Sequence, residues 1–292
     1  MTEYLVIGGS GQVGGFLREE MRARGASCAG TYHRYPVAGL RPLDVGDGAA
    51  VRAVIREVAP AVVFLPASLT HVDRCQEHPA EGFRVNVAGA AAVCRAAAEV
   101  GARVVYFSSD YVFNGAAGPY HELSVPDPIS VYGWQKLQAE HYALACTERV
   151  LIVRTTGVYG WEPQGKNFVA RLVATLESGG TMQVPEDQVG TPAYGPDVAR
   201  AVMDLVERDA AGVLHVAGSE RASRYAFAVA AAEAFGLDPA LLLPVPTAEL
   251  GQPAPRPLEG GLDAARAERI LGRHFTGYTE GLERMAAERA AP

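Results

Sequence analysis

Short, almost wholly apolar runs alternate with amphipathic segments through the first half of the chain. Residues 3–7 (Glu-Tyr-Leu-Val-Ile), 61–65 (Ala-Val-Val-Phe-Leu), 103–107 (Arg-Val-Val-Tyr-Phe) and 150–154 (Val-Leu-Ile-Val-Arg) have strand length, and 27–32 is read as a further strand. Between them the spacing predicts helices over 16–24, 49–58, 81–100 and 131–146, the last capped by Ser130 after Pro126 and Pro128. Strands this apolar must be covered on both faces, which predicts a parallel sheet between helical layers.

Beyond Thr155 the alternation loosens. Helices are predicted over 167–176, 196–207, 225–235, 263–271 and 279–287, and a strand over 212–216. Residues 182–195 read as an irregular polar loop and 243–257 as a Pro-rich loop. The expected division is a nucleotide-binding domain over 1–155, to which about 190–217 returns. A smaller, interleaved substrate-binding domain takes 156–189 and 218–292.

Composition narrows the class. The 292 residues are 49% hydrophobic and 20% charged, as in an ordinary globular protein. No apolar run reaches the roughly 18 residues of a membrane span. The net charge is −7, with no Arg/Lys tract, so neither a nucleic acid nor a membrane is the expected partner. Cys28, Cys75, Cys94 and Cys146 lack C-x-x-C spacing, and no basic region opens the chain, so reduced thiols in a cytoplasm are expected. Of the 26 basic residues only Lys136 and Lys166 are Lys. In so Arg-rich a chain, a retained Lys marks a place where a compact ammonium is needed.

Three segments carry candidate chemistry. The first, Gly8-Gly9-Ser10-Gly11-Gln12-Val13-Gly14, lies between the first strand and the first helix. Glycines there let the backbone approach a pyrophosphate, and the helix N-terminus favours its charge. NAD-selective sites carry an acid at the end of the second strand, whereas this chain has His33-Arg34, which leans toward the 2′-phosphate of NADP(H); NAD(H) stays open. A solvated loop is the competing reading of that pair.

The second is the loop Pro66-Ala67-Ser68-Leu69-Thr70-His71-Val72-Asp73, at the carboxyl end of a strand, where open parallel sheets bind ligands. His71, Asp73, Cys75 and His78 match no zinc spacing, so no metal is expected. Asn86, inside a predicted helix, is read as bonding backbone or as a surface residue.

The third joins Ser109 at a strand end to Tyr132 and Lys136, which a helix would stack on one face. Reduction of a carbonyl needs a hydride donor, a proton donor and a group that polarises the oxygen. The expectation is that Ser109 bonds the carbonyl oxygen, Tyr132 donates the proton, and Lys136 lowers the phenol's pKa. A packed aromatic is the competing reading of Tyr132.

These residues resemble the extended short-chain dehydrogenase/reductases and, more closely, the dTDP-4-dehydrorhamnose reductase family. The resemblance runs through residues 8–14, through Val104 to Gly115, and through Pro128 to Gly133 with Lys136. It continues in Gly165-Lys166-Asn167-Phe168, in Asp187 to Pro192, and in Arg256-Pro257 with Leu262-Asp263. It implies a Rossmann-like doubly wound fold and NAD(P)H-dependent reduction of the 4-keto group of a nucleotide-linked deoxy sugar, as in dTDP-rhamnose biosynthesis. It implies cofactor contacts from Asp44, Val45, Pro66, Ala67 and Ser68 besides the glycine loop, His33, Arg34, Tyr132 and Lys136. It also implies sugar contacts from Thr70, Val72, Asp110, Tyr111 and Asn167. A homodimer is compatible with it.

The chain departs from the family at Gly157, often a Trp against the sugar, at Pro66, often an Ala, and at His71. Two other readings stay open. One is a nucleotide-sugar epimerase or dehydratase, although Tyr111 stands where a dehydratase has an acid. The other is a non-catalytic regulatory subunit like the methionine adenosyltransferase β subunit.

Overall fold

The computed structural model describes residues 3–290; Met1, Thr2, Ala291 and Pro292, which the expected division includes, lie outside the described residues. Its centre is a seven-stranded sheet. β1 (Tyr4–Val6), β2 (Cys28–Tyr32) and β3 (Arg41–Pro42) run outward to one side. β4 (Val62–Leu65), β5 (Arg103–Ser109), β6 (Val150–Thr155) and β9 (Gly212–His215) run to the other. The order is β3-β2-β1-β4-β5-β6-β9 and every pairing is parallel. The chain reverses direction across the sheet between β1 and β4, and such a reversal opens a crevice at the strands' carboxyl ends.

Residue alternation decides what each face buries. Val6, Phe64, Val105, Phe107, Leu151 and Val153 point toward α1 (Gln12–Ala23) and α8 (Gly195–Glu207). Leu5, Ile7, Val63, Leu65, Val104, Tyr106 and Ile152 pack with α2 (Gly48–Val58), α5 (Ala90–Glu99) and α6 (Val131–Cys146) on the other face. Ser130 caps α6 through the Gly133 amide at 3.2 Å, which starts the helix at Val131 and places Tyr132 in its first turn.

The expected helix over 81–100 is a composite. α3 (Val72–Glu77) and α4 (Pro79–Phe83) lead into a widened, π-type turn at Arg84–Gly89 before α5. Asn86 sits in that turn and is buried. Its Oδ1 accepts from the Leu69 amide at 2.8 Å and the Ser68 hydroxyl at 2.9 Å, and its Nδ2 donates to the Leu69 carbonyl at 3.1 Å. The side chain thereby pins the loop after β4, and the wide turn is the local cost of that reach.

A smaller unit packs beyond the crevice. Here α7 (Phe168–Glu177), α9 (Arg224–Ala234) and α11 (Tyr278–Ala290) surround Tyr159, Leu172, Phe227, Leu242 and Met285. The loop expected over 182–195 holds β7 (Met182–Pro185) and β8 (Val189–Gly190). β8 pairs antiparallel with β10 (Ala222–Ser223). The Pro-rich segment expected to be loop opens within β11 (Leu242–Val245), parallel to β7, with Pro185 and Pro244 inside the pair. A two-stranded ribbon consists of edges, where proline's missing donor is tolerated. α10 (Ala265–Leu271) also departs from the expected division: Ala264, Ala267, Leu271 and Phe275 pack with α1 and α8, against the large sheet. Among the described residues no helix is long and apolar enough to cross a membrane.

Candidate active site

β5 runs two residues beyond the expected strand, and its last pairing, Ser109 with Thr155 of β6, carries both hydroxyls to the crevice. The main chain then tightens over Asp110–Val112, because the Ser109 hydroxyl accepts from the Tyr111 amide at 3.2 Å. Ser109 Oγ also donates to Asp110 Oδ1 at 3.1 Å, and Thr156 Oγ1 donates to Asp110 Oδ2 at 2.6 Å. Burial pushes the Asp110 carboxyl up, against these hydrogen bonds, which favour its charge.

α6 lies across this strand end. The Tyr132 and Tyr111 rings meet in a T shape with centroids 5.6 Å apart, and the Ser109 hydroxyl is near enough to the Tyr132 phenol to favour its ionised form. One turn on, Lys136 is only 2% exposed. Its ammonium donates to the Phe107 carbonyl at 2.5 Å and sits 4.4 Å from the Tyr106 ring centroid. A cavity of about 410 Å³ opens over these groups. Two buried hydroxyls on its wall, Ser108 Oγ and Thr155 Oγ1, have no partner among the described residues, so the wall is prepared for polar ligand atoms.

Burial dominates the titration of both Tyr132 and Lys136. Burial pushes the Tyr132 phenol above its ordinary range, the nearby Asp110 and Tyr111 add to that, and the Ser109 hydroxyl only opposes it. Lys136 is aimed at the strand carbonyl, and its own burial lowers it to about 7, with Glu140 pulling the other way. The chain by itself therefore presents a neutral phenol, the form a proton donor needs.

The glycine loop lies beside this cavity. Gly8 has φ +94°, and a Cβ on Gly14 would lie 2.2 Å from the Gly8 carbonyl oxygen, so this turn closes only with glycine. No side chain caps α1, whereas Asp47, Ser130, Asn167 and Ser223 cap α2, α6, α7 and α9. An uncapped N-terminus behind a glycine turn fits a pyrophosphate.

Of the residues expected from sequence, Gln12, Val13, Pro66, Ser68, Thr70, Val72, Ser109, Asp110, Tyr111, Tyr132 and Lys136 line the cavity. Gly8 lies against Ala67, and the Ser10 carbonyl accepts from Gln164 Nε2 at 2.8 Å, so the turn is tied to the smaller unit. His33 and Arg34 follow β2, 4.0 Å from Asp44 and 3.7 Å from Glu81 respectively. Asp44 accepts from the Gly46 amide and from Arg84, a second cation near His33 that the sequence did not single out. The Val45 side chain belongs to the core, which leaves its main chain for any contact. Asn167 is not brought to the cavity: its Oδ1 caps α7 through the Ala170 amide and its Nδ2 donates to the Gly160 carbonyl. Thr156, Phe168, Gln188 and Arg224 line the cavity without having been read as site residues from the sequence; Ser223, a capping residue, is the one local signal near Arg224.

A family model described as RmlD substrate binding domain matches residues 2–291. The spore coat polysaccharide biosynthesis protein SpsK of Bacillus subtilis is 33% identical, covering 100% of this chain and 99% of its own. A dTDP-4-dehydrorhamnose reductase of Mycobacterium tuberculosis is 35% identical over 87% of this chain and 83% of its own. The methionine adenosyltransferase 2 subunit beta of Xenopus tropicalis is 30% identical over 91% and 81%. Among solved structures, a dTDP-4-dehydrorhamnose reductase from Clostridium acetobutylicum superposes with a TM-score of 0.90 at 30% identity, covering 99% of this chain and 100% of that one. The Bacillus anthracis enzyme in complex with NADP gives 0.89 at 29% identity, with the same coverage. The chain belongs to the RmlD substrate-binding-domain family, that of the dTDP-4-dehydrorhamnose reductases.

Proposed function

We propose that this chain is an NAD(P)H-dependent reductase of the 4-keto group of a nucleotide-linked deoxy sugar, a dTDP-4-dehydrorhamnose reductase or a close relative. The observation that carries this is the neutral Tyr132 phenol beside the Ser109 hydroxyl, both on the wall of one cavity. The reduced nicotinamide supplies the hydride when bound. The turn Gly8–Gly14, the N-terminus of α1, the loop Pro66–Ser68 and Lys136 would hold the cofactor. His33 and Arg34 favour NADP(H), since an imidazole and a guanidinium, and no acid, directly follow β2.

Within that frame the residues divide the chemistry. Ser109 turns its one hydroxyl proton from Asp110 Oδ1 to the carbonyl oxygen and makes it a better acceptor. Tyr132 gives its proton to the developing alkoxide. Lys136, charged below a pH of about 7, stabilises the phenolate that Tyr132 becomes. Asp110 and Tyr111 shape the sugar side of the cavity, and Gly157, whose added Cβ would meet only Pro192 at 3.5 Å, leaves that side roomy. Tyr111 takes the place of a dehydratase's acid, which favours simple reduction over dehydration.

The test is NADPH oxidation by the purified protein with a panel of dTDP-, UDP- and GDP-linked 4-keto sugars. Turnover with one of them is expected; no oxidation with any would remove the reading. The kinship to a methionine adenosyltransferase subunit supports a second reading, a binding subunit. A stoichiometric partner that co-purifies with a protein inert toward every 4-keto sugar would favour it.

A further inference from the structure

Arg224 is the first residue of α9 and lines the cavity from the smaller unit. Its guanidinium lies 4.2 Å from the centroid of the Phe168 ring, which itself stacks on Phe227. The main chain is held as well, since the Arg224 amide donates to the Gln188 carbonyl at 2.7 Å. The side chain is thus pinned on one face of a ring, and its N–H groups have no carboxylate partner among the described residues.

The surroundings make that lack of a partner informative. Arg256, nearby, is neutralised by Asp73 at 2.7 Å. Arg171 is near as well, on α7, and has no carboxylate partner among the described residues. Both positive charges weigh against that of Arg224, as does its burial, while the Tyr111 phenol favours it. A chain of net charge −7 has thus gathered like charges around Arg224, which alone of the three lines the cavity and is not neutralised by a carboxylate among the described residues. Tyr111 is close enough to feel Arg224 and also meets the Tyr132 ring in a T shape. A sugar ring whose carbonyl faces Tyr132 would present its opposite side, where a nucleotide sugar carries its diphosphate, toward Arg224.

We infer that Arg224 is the diphosphate-recognition residue of the substrate site, with Arg171 adding to the positive field around it. The inference rests on the nucleotide-sugar reading above. A planar guanidinium held over an aromatic ring offers phosphate oxygens paired donors.

The experiment measures dTDP and UDP binding by calorimetry to protein saturated with NADP+, for the wild type and for Arg224→Gln. The variant is expected to lose about ten- to a hundred-fold in affinity for the diphosphate. It should also lose most of the salt dependence of that binding while keeping wild-type affinity for NADP+. Equal diphosphate affinity in variant and wild type would overturn the inference and leave the reductase reading standing. A variant weakened equally toward NADP+ would assign Arg224 a structural role, which also overturns it. A wild type that binds neither diphosphate would remove the nucleotide-sugar reading and the inference with it.

Discussion

Arg154 and Glu140 meet in the interior as a two-pronged ion pair, Nε to Oε1 at 2.9 Å and Nη2 to Oε2 at 2.6 Å. The side chains are 4% and 2% exposed. The pair ties β6 to the helix that carries Tyr132 and Lys136, one turn after the ammonium. The Arg154 guanidinium also lies 5.1 Å from the Phe113 ring centroid. Removing one partner strands the other charge without water. Glu140→Leu is therefore expected to cost about 3–5 kcal/mol, and the double variant Glu140→Leu/Arg154→Met less than that. Urea denaturation midpoints check the order; a double variant worse than the single would mean the pair is net stabilising.

Tyr132→Phe keeps the ring that packs on Tyr111 and removes only the hydroxyl. Turnover is expected to fall at least about a hundred-fold. NADPH affinity should stay near wild type, because the turn at Gly8–Gly14 is untouched. Steady-state rates and a fluorescence titration of NADPH separate the two effects; wild-type turnover would refute the assignment of the proton donor.

Lys136 gives the pH dependence a sign. Burial lowers its folded pKa from 10.5 to about 7. Between about 7 and 10.5 the unfolded chain therefore binds the proton that the folded chain lacks, and stability rises with pH. Below about 7 both states are protonated and the penalty is fully present. Lys136→Met should flatten this rise relative to wild type in denaturation midpoints measured from neutral to alkaline pH. Lys136→Arg keeps a charge but not a shape that fits between the Phe107 carbonyl and the Tyr106 ring, and is expected to lose most activity.

These residues were readable because local rules and tertiary need agree. Ser130 after two prolines announces α6, and a single helical turn then brings Tyr132 and Lys136 together. The parallel sheet was legible for the same reason, since strands apolar on both faces have few other solutions. β7 and β11 were hidden by Pro185 and Pro244, which local reasoning takes for breakers although a two-strand ribbon accepts them. Arg224 was hidden differently. Nothing in Ala-Ser-Arg-Tyr tells which face of α9 meets the crevice; only the packing of Phe168 and Phe227 does. Asn167 shows the converse, a polar residue inside a recognised signature that is committed to a helix cap.

Two neighbouring glycines offer an internal comparison. A Cβ on Gly14 would lie 2.2 Å from the Gly8 carbonyl oxygen and 2.9 Å from Gly9 Cα, whereas one on Gly15 meets nothing within 4 Å. Both belong to α1, so helix propensity treats them alike and predicts a gain of about 0.5–1 kcal/mol for alanine at either. Sterics separate them. Gly15→Ala should be neutral or slightly stabilising with unchanged NADPH affinity. Gly14→Ala must push the Gly8 turn away from the helix N-terminus. It is expected to cost about 1–3 kcal/mol and to weaken NADPH binding about ten-fold or more. Thermal midpoints and NADPH titrations of the two variants side by side decide it. Equal behaviour would mean that the closeness of this turn is not what holds the cofactor.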